Sequence, residues 1–263
     1  MSQSNVTRML GKQDAVDDRR IARLERLLPV SFAPGKSTNW RAHTPAKGIP
    51  ILRNNIIGNC VICTAFHYVQ TALAYTTSID IDPTDDEAVG EYSAITGYDP
   101  AQTQQDGSNP TDNGTVVAGP GGLLEYWTKT GLVIAGQRNF LKGATRVNHK
   151  NLDAVKQALS LGPLMVGAQL TQANVDSNFM WVAGNPYIGG HEFLVLDCEE
   201  VAGKTYFDVE TWDGMWRYDE SFATQSVDEI YMVLDPAFFG PSGLDPADVD
   251  MAMLQRSMSA LAA

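Results

Sequence analysis

Two cysteines three residues apart, Cys60 and Cys63, are the first residues in this sequence whose type and spacing could do chemistry. A structural zinc site needs four nitrogen or sulfur ligands, and this stretch offers three even when His67 is counted. A redox C-x-x-C pair usually opens a helix within a β-α-β unit, and no such unit precedes Cys60. The motif therefore predicts no metal site. Thiols that simply pack like small apolar residues, and a redox pair, stay open as alternatives to a nucleophile.

Cys60 has the better position for a reactive thiolate, because the sequence before it predicts the start of a helix. Gly58 and Asn59 provide a turn and an N-cap ahead of an apolar helical pattern over residues 60–75. The unpaired amides and the dipole at a helix N-terminus stabilise a thiolate and lower its pKa. Cys63 lies one turn deeper and gains less.

A thiolate nucleophile needs a base, and His191 is the best candidate among the four histidines. His43 and His149 lie in polar, loop-like sequence, and His67 follows Cys60 by about two turns of the same predicted helix. His191 follows two glycines in YIGGHEFLVLD and opens an apolar strand pattern. The predicted catalytic pair is therefore Cys60 and His191.

The order of these residues resembles papain-like cysteine peptidases. In that family a cysteine starts a long helix, a glutamine six residues earlier donates to the oxyanion, and a histidine precedes a hydrophobic strand. Six residues before Cys60 is Asn54, which can donate a hydrogen bond, whereas six residues before Cys63 is Ile57, which cannot. The resemblance therefore implies Cys60 as the nucleophile and Asn54 as a shortened substitute for the glutamine.

The same family orients its histidine with an asparagine two residues before a tryptophan. In DVETWDG that position holds Glu210, so the resemblance implies Glu210 as the residue that orients His191. Asp208, Glu210 and Trp212 share one face of a strand, and either carboxylate could receive the imidazole N–H. An exposed acidic strand is the alternative.

Nearly the whole chain also resembles a group of phage and prophage proteins of undefined function with papain-like organisation. Their pattern N-x-x-x-G-D-C, followed by a helical A-x-H, matches Asn54, Gly58, Cys60 and His67. Further matches are LLEYWTKTG, GGHEFLVLD and TWDGMWRYDESF. This resemblance implies a place in the host cytoplasm or in a virion.

Composition disfavours several classes of protein. Lys and Arg number 19 against 31 Asp and Glu, a net charge of −12 that argues against nucleic acid or an anionic membrane as the main partner. No apolar window of about 18 residues predicts a membrane span, and the N-terminus lacks the core of a signal peptide. Three cysteines predict free thiols. The acidic loop from Asp106 to Asp112 lacks EF-hand spacing, which predicts a solvated loop. No cofactor and no metal are expected.

Periodicity places helices before strands and predicts an α+β fold, papain-like by resemblance. Its N-terminal helical lobe carries the long Cys60 helix, and its C-terminal lobe is an antiparallel sheet or barrel. The predicted segments are a charged arm with one amphipathic helix at 1–29, a papain-like domain at 30–240 and a helical tail at 241–263. Within the domain, the helical lobe is expected at about 54–162 and the β lobe at about 163–240.

Two functions are compatible with these residues. The first is a thiol hydrolase, a peptidase acting on a peptide or protein substrate, without nucleic acid or membrane insertion. The second is an inactive papain-like scaffold, a virion structural or accessory protein whose partners are other phage proteins. A thiol-disulfide role for Cys60 and Cys63 is a third alternative.

Overall fold

The computed structural model describes residues 8–27, 39–44, 48–177 and 179–236. Within these ranges the α-helices are α1 Cys60–Thr77, α2 Asp85–Thr96, α3 Leu123–Lys129, α4 Leu152–Leu159, α5 Gln172–Asp176 and α6 Glu220–Gln225. The strands are β1 Leu132–Ile134, β2 Gln137–Asn139, β3 Gly143–Arg146, β4 Leu164–Thr171, β5 Met180–Trp181, β6 Tyr187–Val201, β7 Lys204–Thr211, β8 Gly214–Asp219 and β9 Val227–Leu234. The predicted helical tail at 241–263 lies outside the described residues.

Seven of these strands form one open sheet, in the order β3-β9-β4-β6-β7-β8-β5. Every neighbouring pair is antiparallel except β5 with β8. α1 packs on β6 and β4 in the middle of the sheet. The α+β class is confirmed, with one difference in detail: β3 lies in the segment assigned to the helical lobe, yet it pairs with β9 at the edge of the sheet.

α1 is buried along its first 13 residues, from Cys60 to Ala72. Ala65 and Ala72 are fully buried in this stretch, and their small side chains let the helix approach its neighbours closely. Its start differs from the prediction, because the Asn59 side chain does not cap the helix. The Asn59 amide donates to the carbonyl of Leu52 at 2.8 Å, so it fixes the preceding turn.

Residues 8–27, the described part of the N-terminal arm, are mostly extended rather than helical. A single 3-10 turn, Leu24–Arg26, replaces the amphipathic helix predicted there, and the end of that predicted helix lies outside the described residues. The backbone amide of Arg146 donates to the carbonyl of Ala22 at 2.8 Å, and Arg23 forms a parallel bridge with Arg146. The arm therefore satisfies its backbone at β3, the edge strand of the sheet, instead of within a helix.

No helix in the described part of the chain is long and apolar enough to cross a bilayer.

Candidate active site

Cys60 is the first residue of α1 and is 1% exposed. Burial raises the pKa of its thiol to about 11, although the backbone amides of Glu192 and Gly11 donate toward the sulfur and lower the pKa. The sulfur therefore lies against two other parts of the chain, the start of β6 and the N-terminal arm. In this buried position the thiol is protonated at neutral pH.

Cys63 lies one turn further along α1 and is 3% exposed. Its thiol donates to the carbonyl of Leu52 at 3.6 Å, and burial raises its pKa well above the ordinary value. Cys63 thus packs against the turn that precedes α1.

His191 is fully buried on β6. Its Nε2 lies 2.6 Å from the Thr211 hydroxyl, and its ring stacks on Trp212 with the ring centroids 4.3 Å apart. Nδ1 is buried and has no hydrogen-bond partner among the described residues. Burial lowers the pKa of His191 to about 3, so the ring is neutral at physiological pH. Thr211 therefore holds Nε2 in place, whereas Nδ1 forms no hydrogen bond with the described residues.

Glu210 does not make the predicted contact with His191. Leu194 pairs directly with Glu210 across β6 and β7, so these two side chains share a face of the sheet. His191 is three residues from Leu194 on the same strand and therefore points to the opposite face, which it shares with Thr211. The family spacing places the orienting residue at Glu210, whereas the strand register places the His191 contact one residue later, at Thr211.

Glu210 lies instead against His67 of α1, with Oε1 3.6 Å from Nδ1. His67 Nε2 donates to the carbonyl of Pro50 at 2.9 Å. Both partners are buried, and burial lowers the pKa of His67 to about 4 and raises the pKa of Glu210 to about 8. At neutral pH the two groups are therefore mainly uncharged neighbours rather than an ion pair.

Asn54 is buried in the turn before α1. Its side-chain amide donates to the carbonyl of Ile57 at 3.3 Å, and no hydrogen bond joins it to Cys60 among the described residues. Its backbone carbonyl accepts from the amide of Met9 at 3.1 Å. The predicted oxyanion donor is thus close to Cys60 in sequence, but its side chain is engaged with its own turn.

Asp112 and Tyr92 were not predicted as site residues, yet they hold the loop that faces the start of α1. The Tyr92 hydroxyl donates to Asp112 at 2.6 Å, and Asp112 accepts from the backbone amide of Gly58 at 3.0 Å. Part of the predicted solvated loop is therefore fastened to the turn before Cys60. Within the described ranges, no group of three His, Cys, Asp or Glu side chains is arranged to hold a metal ion.

The arm segment, which we define as residues 8–13, runs between the two walls that carry these groups. On one wall, the backbone amide of Thr115 donates to Gly11 at 2.9 Å and the amide of Gln13 donates to Thr115 at 3.0 Å. On the other wall, the amide of Lys12 donates to the carbonyl of Gly190 at 3.1 Å, next to His191. The segment therefore bridges both sides as an added strand would.

Glycines make room for this segment at its narrowest point. A Cβ on Gly11 would lie 1.8 Å from the carbonyl oxygen of Gly58, and one on Gly114 would lie 2.0 Å from the carbonyl oxygen of Gly11. A Cβ on Gly190 would meet the carbonyl oxygen of Lys12 at 2.4 Å. These contacts are too short for any side chain, so the arm segment fits in its channel only if positions 11, 114 and 190 are glycine.

The outer end of the arm segment covers the aromatic side of the site. The guanidinium of Arg8 lies 5.3 Å from the ring of Trp212 and 5.0 Å from the ring of Trp216. The Trp212 indole donates to the carbonyl of Met9 at 3.4 Å. The tryptophan that stacks on His191 is therefore itself covered by the arm.

No protein-family model matches the sequence, and no curated protein matches it. Solved structures do share its fold. Xylellain, a cysteine protease from Xylella fastidiosa, is 13% identical, with 89% of this chain and 99% of that chain covered and a TM-score of 0.58. Procathepsin L 3 from the larval midgut of Tenebrio molitor is 13% identical, with 87% and 76% covered and a TM-score of 0.57. Procathepsin B S9 from Trypanosoma congolense is 10% identical, with 86% of each chain covered and a TM-score of 0.56.

Identities this low show the architecture and not the chemistry. The element order, the long buried helix and the mostly antiparallel open sheet agree with these structures along most of the chain. The protein has a papain-like fold.

Proposed function

We propose that the protein is a papain-like thiol hydrolase that acts on peptides or proteins, with Cys60 as the nucleophile and His191 as its base. The observation that carries the proposal is the His191 ring, which is held at Nε2 by Thr211 while the buried Nδ1 has no partner. A ring in this state is oriented and has a free lone pair at Nδ1, and it becomes an effective base when the burial that holds its pKa near 3 is relieved.

Each remaining residue has a role that its position supports. Cys60 lies at the N-terminus of α1, where the free amides and the helix dipole favour a thiolate. In the tautomer in which Nε2 donates to Thr211, Nδ1 carries a lone pair. His191 points to the sheet face opposite to Glu210 and α1, so Nδ1 takes the Cys60 proton only after a rearrangement brings the ring to the sulfur. The thiolate then attacks the peptide carbonyl carbon, and the imidazolium returns the proton to the leaving amine. Water hydrolyses the resulting thioester, which frees Cys60.

The oxyanion requires donors near Cys60. We assign this role to the backbone amide at the start of α1 and to the side chain of Asn54. Asn54 can take part once its amide turns away from Ile57, a weak 3.3 Å contact.

Under this proposal, the structure corresponds to a resting state. Cys60 is 1% exposed, and the arm segment occupies the space beside it. Burial keeps the pKa of Cys60 near 11, so little thiolate exists while the arm is in place. Turnover therefore requires that the arm segment leaves the channel.

A papain-like scaffold without turnover is the second candidate function. The observation in its favour is the tight fit of the arm segment, whose Gly11 leaves no space for a substrate backbone against Gly58 and Gly114. In that case the partners of the protein are other proteins and Cys60 is a packing residue.

The deciding experiment displaces the arm in the full-length protein. Gly11→Val places a side chain where a Cβ would lie 1.8 Å from Gly58, so the arm cannot seat. Gly90→Val is the matched control, because a Cβ at Gly90 has nothing within 4 Å. We expect iodoacetamide to alkylate Cys60 about a hundredfold faster in Gly11→Val than in wild type. We also expect Gly11→Val to hydrolyse casein. Gly90→Val should behave like wild type in both assays.

Folding is checked by circular dichroism and by the labelling of Cys63, which stays slow unless the core opens. Fast Cys60 labelling without any hydrolysis, in a folded protein and over a broad peptide library, would support the scaffold function and reject the hydrolase.

A further inference from the structure

Lys12, in the arm segment, carries its positive charge into the interior of the protein. Its side chain is 0% exposed, and its ammonium lies 3.0 Å from Asp228 Oδ1 and 3.1 Å from Glu229 Oε1. Burial alone would lower the pKa of Lys12, but the carboxylates of Glu229 and Asp228 raise it above its ordinary value. The ammonium is therefore held as a charged, desolvated group.

The stem of Lys12 passes a strand position that lacks a side chain. A Cβ on Gly167 of β4 would lie 2.1 Å from Lys12 Cε and 2.8 Å from Lys12 Cδ. Any residue other than glycine would block this entrance. We define the lysine pocket as the space enclosed by Gly167, Glu192, Asp228 and Glu229.

The lysine pocket contains one more acidic side chain than the two that Lys12 contacts directly. Glu192 is 1% exposed, and neither of its carboxylate oxygens has a hydrogen-bond partner among the described residues. Burial, and then the charge of Glu229, raise the pKa of Glu192 well above its ordinary value. Asp228 accepts from Gln169 at 3.1 Å, and Glu229 accepts from the Tyr231 hydroxyl at 3.0 Å. Since buried carboxylates are costly without a cation, the lysine pocket is complementary to one.

The lysine pocket opens beside the candidate nucleophile. The backbone amide of Gly11 donates toward the sulfur of Cys60, and Lys12 is the next residue. The backbone of Lys12 donates to Gly190, the residue before His191. A peptide whose main chain follows the path of the arm segment would therefore place one side chain in the lysine pocket while the neighbouring residue lies on the sulfur.

We propose that the lysine pocket is a recognition site for a lysine side chain of a peptide or protein substrate, and that Lys12 occupies it in the resting state as an internal substitute. The description of the bound chain as a substrate rests on the proposed function. Binding of a lysine side chain in the lysine pocket does not depend on catalysis. The substrate class is therefore chains with a lysine next to the residue that contacts Cys60.

The test measures peptide binding to the full-length Gly11→Val protein, in which the lysine pocket is intact and the arm cannot seat. The probe is a fluorescent hexapeptide with the sequence of residues 8–13, Arg-Met-Leu-Gly-Lys-Gln. Its matched control has norleucine in place of lysine, which keeps the apolar stem and removes the charge. We expect the lysine peptide to bind at least about tenfold more tightly, and Glu229→Gln to remove most of that difference. Equal affinity for the two peptides would overturn the proposal.

Lys12→Glu provides a second route to an open channel if Gly11→Val does not fold, because like charges in the lysine pocket would expel the arm. A third measurement needs no displaced arm. Lys12→Met in the otherwise native chain should accelerate the alkylation of Cys60 by about tenfold while Cys63 stays unreactive. Unchanged Cys60 labelling in Lys12→Met would contradict the proposal.

The outcomes separate this inference from the proposed function. A Gly11→Val protein that hydrolyses casein but binds the lysine and norleucine peptides equally keeps the function and loses the lysine pocket. A protein that prefers the lysine peptide but hydrolyses nothing keeps the lysine pocket as a binding site and loses the hydrolase.

Discussion

Two buried histidines, His67 on α1 and His191 on β6, lie near the same end of β7 and differ in how their ring nitrogens are used. His67 donates from Nε2 to Pro50 and faces Glu210 with Nδ1. His191 contacts Thr211 through Nε2, and its Nδ1 has no partner among the described residues. A histidine with both nitrogens facing partners ties elements together, whereas an oriented ring with one open nitrogen can transfer a proton.

The two cysteines of α1 show the same division. Cys63 donates to the backbone of the preceding turn. Cys60 faces the backbone of β6 and the arm segment, so part of the surface that buries it comes from the arm. Under the proposed function, chemistry falls to Cys60 and His191, and packing to Cys63 and His67. The four predictions below test that assignment in the Gly11→Val protein.

The largest difference is expected between the two cysteines. Cys60→Ala should lower the rate of peptide hydrolysis by about a thousandfold or more, because the nucleophile is removed. Cys63→Ala should leave the rate within about threefold and cost stability instead, since a packed thiol is lost. Hydrolysis and urea unfolding are measured on both variants. Equal losses of activity in the two would contradict the assignment.

A similar contrast is expected between the two histidines. His191→Ala should lower kcat by about 10²–10⁴-fold through the loss of the base. His67→Ala should keep kcat but lower the free energy of unfolding by about 1–3 kcal/mol, since the carbonyl of Pro50 loses its donor. Steady-state kinetics and chemical denaturation separate the two effects. A His67→Ala protein that is folded and inactive would reverse the comparison.

Glu210→Gln tests whether this carboxyl group orients His191. The pKa of Glu210 is about 8 in the folded protein against 4.5 ordinarily, so the folded state holds the proton more tightly. The stability that this group contributes is complete below its unfolded-state pKa of 4.5 and is lost as the pH rises through about 8, its pKa in the folded protein. Relative to its Glu210→Gln variant, the Gly11→Val protein with Glu210 intact should lose about 2 kcal/mol of unfolding free energy between about pH 5 and pH 7.

Activity provides the control for Glu210, since Glu210→Gln should retain kcat. A large drop in kcat at unchanged stability would restore Glu210 as the orienting residue.

The smallest effect is expected at Thr211, a positioning residue that acts through His191. Thr211→Val removes the hydroxyl that contacts Nε2 at 2.6 Å, and kcat should fall about tenfold with a change in the pH profile. Thr211→Ser keeps the hydroxyl and should restore both. If valine and serine behave alike, the contact has no catalytic role.

Local patterns predicted the main elements of the fold. The pattern over residues 60–75 predicted α1, because apolar residues recur with the helical period and small residues permit close packing. The apolar strand pattern that His191 opens in YIGGHEFLVLD became part of β6 for the corresponding reason. The amphipathic pattern of the arm failed, because Ala22 and Arg23 pair with β3 rather than forming a helix.

Part of the candidate site could not be predicted in this way. Glu210 and Thr211 are adjacent, and only the register of β7 on β6 shows which of them shares a face with His191. Lys12 stands in a polar arm without any local sign of burial. The sequence signal that could have indicated the seated arm is its glycines. Gly11 lies in the arm segment, and the glycines at 58, 114, 167 and 189–190 lie directly against that segment.

The sequence by itself determined the α+β class, a thiol at the start of a buried helix and a histidine on an apolar strand, because these features depend on neighbouring residues and their periodicity. Only the tertiary structure decided the contact of His191, the engagement of Asn54 with its own turn, and the burial of Lys12. Those outcomes depend on contacts between residues far apart in the chain, such as Lys12 with Asp228, whose geometry follows from packing and strand register.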